Sequence, residues 1–171
     1  YQYLNAGYLW GLRNKGVFFP KIISGLDIHA DEAWEIVGDK EGPIIAVIDT
    51  GVQYGHKSLE NNIWTNPLET PGDDDPDGNG YLDDVHGIDA IDQLGLGAPG
   101  NDDPGDKNGH GTMVAGIIGA DGTNGYWGLA PNSTIMGLRF MNADGVGNID
   151  DSIRCIDYAI ENGAKVINAS Y

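Results

Sequence analysis

Apolar positions along the chain gather into three short runs, separated by longer mixed segments. Gly42–Val52 holds the clearest run, Ile44-Ile45-Ala46-Val47-Ile48, which ends in Asp49-Thr50-Gly51. A continuous Ile- and Val-rich run without polar alternation predicts a strand buried on both faces. Such a strand is central in a parallel sheet, with polar residues emerging at its carboxyl end. Ser133–Phe140 and Ala164–Ser170 have the same character. Residues 148–164 between them predict a helix: Asp150 or Asp151 can cap its start, Ile153, Ile156 and Ile160 share a face, and Gly163 can end it. His110–Ala120 predicts a second helix, small and apolar all round and therefore buried. Residues 65–84 and 94–109, dense in Pro, Gly, Asn and Asp, read as loops. Strands alternating with helices indicate an α/β fold around a parallel sheet.

Length and charge narrow the picture. The chain has 171 residues, room for one core rather than two. It lacks the long apolar run of about 18 residues that a membrane span needs. Acidic residues number 26 against 9 basic ones, giving a formal charge of −17. That balance excludes a nucleic-acid binder, which needs a basic face. The acids are concentrated: no Lys or Arg separates Lys57 from Lys107, while Asp-rich strings fill 73–106. The single cysteine, Cys155, permits no internal disulfide, and its apolar helical setting predicts a buried core thiol.

Candidate chemistry sits at two element boundaries. Asp49 closes a buried strand, where open parallel sheets build their sites. His110 opens a helix between Gly109 and Gly111. A carboxylate beside an imidazole Nδ1 fixes the tautomer and steadies the imidazolium during proton transfer. The flanking glycines are expected to let a substrate backbone approach. Alone, Asp49 reads first as a strand-end turn former, and His110 equally as a structural helix start.

Taken in their full strings, Ile44–Val52 and Asn108–Gly116 resemble the Asp and His motifs of the subtilases, the subtilisin-like serine proteases. The resemblance runs on in order: residues 9–16 and 26–34 are similar to the family's mature N-terminal region, 128–148 to its Gly-x-Ala-Pro turn, strand and Asp-Gly-x-Gly substrate loop, and 164–170 to the strand lining its specificity pocket. It implies a subtilisin-like three-layer α/β fold with a central parallel sheet, incomplete in this chain, so that 1–171 form the N-terminal part of one peptidase domain. It also implies a secreted serine endopeptidase acting on polypeptide substrates. Asp49 then orients His110, which is general base and later general acid. Gly145, Val146 and Gly147 become an edge strand pairing with extended substrate, and Ser170 begins the opposite substrate-binding strand. The family's nucleophile lies in a Gly-Thr-Ser motif that does not occur here, and Ser170, in a strand without a turn into a helix, does not match it. The resemblance therefore places the serine and the oxyanion-binding Asn on a separate C-terminal fragment of the same protease. Uncovered apolar strand faces near Tyr171 point the same way.

The acidic loop carries a second expectation. Asp75, Asp77, Asn79, Gly80 and Tyr81 match the front of a calcium loop, with ligands at positions 1, 3, 5 and 7 and Gly at 6. Two residues earlier, the register is Asp73, Asp75, Asp77, Gly78 and Asn79, with Asp84 twelfth. The expected calcium set is Asp75, Asp77, Asn79, the Tyr81 carbonyl and Asp84, with Asp73 at its edge. Carboxylates so close repel unless a cation neutralises them; the alternative is a solvated acidic loop. Some subtilases have such an insertion. Their N-terminal calcium site takes an Asp where Ser58 stands here. A different class of function, an inactive subtilase-like calcium-binding or interaction module, remains as the alternative. A phosphate-binding loop and a zinc hydrolase find no matching pattern around Asp49 or among His29, His56, His86 and His110.

Overall fold

The computed structural model describes residues 9, 11–16, 23–72, 75–91 and 103–171. Its elements in chain order are α1 (Ala30–Val37), β1 (Ile44–Asp49), a 3-10 turn (Glu60–Asn62), β2 (Gly87–Asp89), α2 (His110–Gly119), β3 (Thr134–Arg139), α3 (Ile149–Glu161) and β4 (Val166–Asn168). The strands form one parallel sheet in the order β2-β3-β1-β4. All three apolar runs are strands, and β1 is central as its two-sided apolar character requires.

Alternate residues of the strands feed two cores. Ala46, Ile48, Met136, Leu138 and Ile88 pack with Cys155, Tyr158 and Ala159 of α3. Ile45, Val47 and Ile135 pack with Ala115 of α2 on the other face. The result is helix, sheet, helix, an α/β sandwich. Asp49, Arg139 and Asp89 stand in one register row at the carboxyl end of the sheet. Arg139 forms a buried ion pair with Asp89 there. Burial pushes the Cys155 thiol up, which suits an inert core residue.

Both helices differ from expectation in the face they bury. In α3, Cys155, Tyr158 and Ala159 are buried with Asp151 and Ser152, whereas Ile153 and Ile160 are exposed. Small side chains at 152, 155 and 159 let the helix lie close to the sheet, and a stripe of isoleucines would hold it off. The cap position is Asn148 rather than Asp150 or Asp151, while Gly163, at φ 78°, follows the last turn as expected. In α2, only Gly111, Ala115 and Gly119 are buried. Met113 and Ile117 are 63% and 68% exposed, so the helix is apolar all round but not buried all round.

Candidate active site

Asp49 is fully buried at the end of β1, and one carboxylate oxygen accepts the Thr50 N–H at 2.7 Å. His110 is the first residue of α2, and its Nδ1 lies 2.8 and 3.0 Å from the two Asp49 oxygens. The His110 side chain is 46% exposed. With Nδ1 donating to Asp49, Nε2 keeps its lone pair on an accessible ring, which is the form a general base needs.

The start of α2 is held by Asp106. Its carboxylate accepts the N–H groups of Asn108, Gly109 and Thr112 at 2.8–2.9 Å, and the hydroxyls of Thr112 and Thr50 at 2.6 and 2.9 Å. Burial works to raise this carboxyl, but the hydrogen bonds outweigh it and hold Asp106 below the usual range. Sequence reading counted Asp106 among the acids and missed this role. The available signal was an Asp shortly before a helix start with a Thr six residues on.

The glycines beside His110 serve the fold. A Cβ on Gly111 would lie 2.1 Å from the Gly51 carbonyl and 3.0 Å from the Asp49 Cβ. Gly111 therefore brings α2 against the end of β1, correcting the expectation that it clears room for a substrate. Gly109 has φ 102°, a left-handed conformation that turns the chain into the helix.

His110 opens onto a cleft of about 330 Å³ lined also by Thr50, Asn108, Met141, Gly145, Ser170 and Tyr171. Gly145, Val146 and Gly147 belong to a tight turn rather than a free strand. Asn142 N–H donates to the Val146 carbonyl at 2.9 Å, Gly145 N–H to the Asn142 carbonyl at 3.0 Å, and Met141 bridges Gly147. Val146 is exposed and Gly145 has φ 76°. Asn108 joins this loop to His110: its Nδ2 donates to the Ala143 carbonyl at 2.8 Å, and its Oδ1 accepts the His110 N–H at 3.2 Å. Ser170 is exposed on the cleft, and its hydroxyl donates to Asn168 Oδ1 at 2.8 Å. Among the described residues, the ring of His110 has Asp49 as its hydrogen-bond partner.

The acidic loop brings together a different set from the expected one. Asp73 lies outside the described residues. Asp75 accepts the Asn79 and Gly80 N–H groups at 3.1 Å, and so shapes the turn. Asn79 directs its Nδ2 at Asp77 and Asp84, 3.0 and 2.8 Å away, and its Oδ1 accepts the Tyr81 N–H. The Tyr81 ring packs edge-on against Tyr158, with centroids 5.5 Å apart. Asp84 is fully buried and accepts from Asn66 and the Tyr158 hydroxyl. Carboxylate oxygens of Asp77, Asp84 and Glu69 lie within 4.8 Å of one another. Glu69, which sequence reading missed, is 8% exposed, and among the described residues neither of its oxygens has a hydrogen-bond partner of good geometry, the nearby Asp77 N–H offsetting its burial only in part. Burial first, then the charge of Asp84, raise its carboxyl above the usual range. Three hard oxygen donors with one carboxylate unsatisfied fit a calcium-like cation.

The family model described as "Subtilase family" matches residues 40–171. "Subtilisin-like protease 1" of Plasmodium berghei is 34% identical over 154 residues, 86% of this chain and 24% of that protein. "Minor extracellular protease Vpr" of Bacillus subtilis is 31% identical over 143 residues, 84% of this chain and 15% of that protein. Among solved structures, "Sphericase" matches with a TM-score of 0.56 and 30% identity over 77% of this chain and 37% of that one. This chain therefore spans about a quarter or less of the length of these two curated relatives.

Proposed function

The chain belongs to the subtilase family, and from that premise we propose that it contributes the acid and the base of a secreted serine endopeptidase. His110 takes the proton from a serine hydroxyl supplied by a segment beyond residues 1–171 as that oxygen attacks the peptide carbonyl. It then returns the proton to the leaving amine. Asp49 holds the tautomer and offsets the imidazolium charge, and water resolves the acyl-enzyme. The observation that carries this reading is the 2.8 Å contact between His110 Nδ1 and a wholly buried Asp49 carboxylate, with the rest of the ring open to a cleft.

Polypeptide substrate is proposed to lie along Gly145–Gly147 and Ser170, which flank that cleft. The exposed α2 face of Met113 and Ile117, running on from His110, supports a covering segment of the same protease. The extracellular name of one relative supports secretion, as does the proposed calcium, which is abundant outside cells. No helix among the described residues is long and apolar enough to cross a membrane. Glu69, Asp77 and Asp84 would hold the calcium ion, which would neutralise their mutual repulsion and fix the loop.

A fluorophosphonate probe on the full-length protein tests the proposal. Labelling of a serine outside residues 1–171, reduced about 10⁴-fold or more in His110→Ala, is expected. A folded wild-type protein that takes no label would overturn it in favour of the inactive interaction module.

A further inference from the structure

Resting on the reading of His110 as general base, we infer that Asp106 is its positioning residue, clamping the start of α2 to the end of β1 so that His110 and Asp49 stay in register. The clamp holds both sides of His110 and the residue that follows Asp49. Asp106 binds Asn108 and Gly109 before His110 and Thr112 after it, and it binds Thr50, the residue next to Asp49. Thr50 Oγ1 also accepts the Gly111 N–H at 3.0 Å, and Thr112 Oγ1 accepts the Gln53 N–H at 3.0 Å. Gln53 Nε2 adds a bond to the Asp106 carbonyl at 2.6 Å.

The chemistry requires a carboxylate. Both threonine hydroxyls already accept a backbone N–H, so each has its proton available for Asp106. All five contacts to the carboxylate are then donors. An amide in its place would set its own N–H groups against donors, whichever way it turned. The carboxylate also counters the positive end of the α2 dipole, which would otherwise disfavour an imidazolium at His110. The charged side chains on the segments around the ring are Asp49 on β1, Asp103, Asp106 and Lys107 before α2, and Asp144 after β3.

A helix cap alone would give stability without tuning the base, and two variants of the full-length protein separate these roles. Asp106→Asn removes the charge. Thr50→Val cuts the tie to β1 while Asp106 keeps four of its five donors, so the cap survives. The readouts are fluorophosphonate labelling rate against pH and the titration of the His110 imidazole by NMR. Asp106→Asn should label about 100-fold more slowly and titrate His110 at lower pH; Thr50→Val should label about 10-fold more slowly, with a melting temperature lowered by loss of the Gly111 and Asp106 bonds but the helix start still capped. If both variants label at the wild-type rate and titrate His110 at the wild-type pH, the inference is overturned, whatever their melting temperatures. Should Asp106→Asn not fold, Thr50→Val decides by the same two readouts. A wild-type protein that takes no label overturns the protease reading instead, and the His110 titration then decides this inference alone.

Discussion

Asp106 and Glu69 are both carboxylates buried in acidic loops, and they have opposite surroundings. Five donors converge on Asp106, so its charge is satisfied within the chain and its carboxyl is held low. Around Glu69 it is the carboxylates of Asp77 and Asp84 that converge, and among the described residues both of its oxygens lack a hydrogen-bond partner of good geometry. Its carboxyl is pushed up by burial and by Asp84. The difference teaches that an acidic run has no single meaning: one charge organises the backbone, while the other cluster is left with mutual repulsion that the proposed cation would relieve.

The sharpest way to break this comparison is to remove each carboxylate with and without calcium. Asp106→Ala should cost about 2 kcal/mol, through loss of the helix cap and its charge-assisted hydrogen bonds. Thermal melts should give the same loss in calcium and in chelator; a loss found only in calcium would merge the two sites into one. Glu69→Gln should behave in the opposite way. In calcium it should lower stability by about 1–2 kcal/mol as a ligand is lost, and in chelator it should be neutral or stabilising because a repulsion is relieved. A smaller effect is expected from pH. Asp106 has a depressed carboxyl, so its contribution is present above the ordinary value of 3.8 and is lost as pH falls through the lower folded value. Asp106→Asn should therefore flatten the acid limb of the stability curve, read by chemical denaturation in chelator. The smallest effect belongs to Asp121, whose bonds to Asn61 and Thr123 are exposed. Asp121→Asn should change stability by less than about 1 kcal/mol, with no calcium dependence.

Much of the fold was legible because buried parallel strands carry a local signature. Ile44–Asp49 and Thr134–Arg139 are short apolar runs ending in polar residues and are buried. Val166–Asn168 has the same pattern but lies at the sheet edge with Val166 and Ile167 exposed, against the expectation of burial on both faces. The Asp49–His110 pair was legible too, since each residue stands where an element begins or ends. The helix faces were not. Ile153 and Ile160 matched a helical stripe, but burial followed the small residues that let α3 approach the sheet. The acidic loop was legible as acidic and not as a ligand set. Glu69 precedes the Asp run and follows no position rule, and Asn79 turned its amide nitrogen to the carboxylates.

The sequence by itself determined the α/β class, the central strand, the chemical pair at its end and the excess of negative charge. Those features depend on local composition and on residues at element boundaries. Only the tertiary structure decided which carboxylates are satisfied and which are not, because that depends on groups far apart in the chain. Thr50 meets Asp106 across 56 positions, and Tyr158 meets Asp84 across 74. It also gave Gly111 its task, which is the approach of α2 to the Gly51 carbonyl. A glycine beside a histidine looks the same in a sequence whether it makes room for a substrate or for the protein's own backbone.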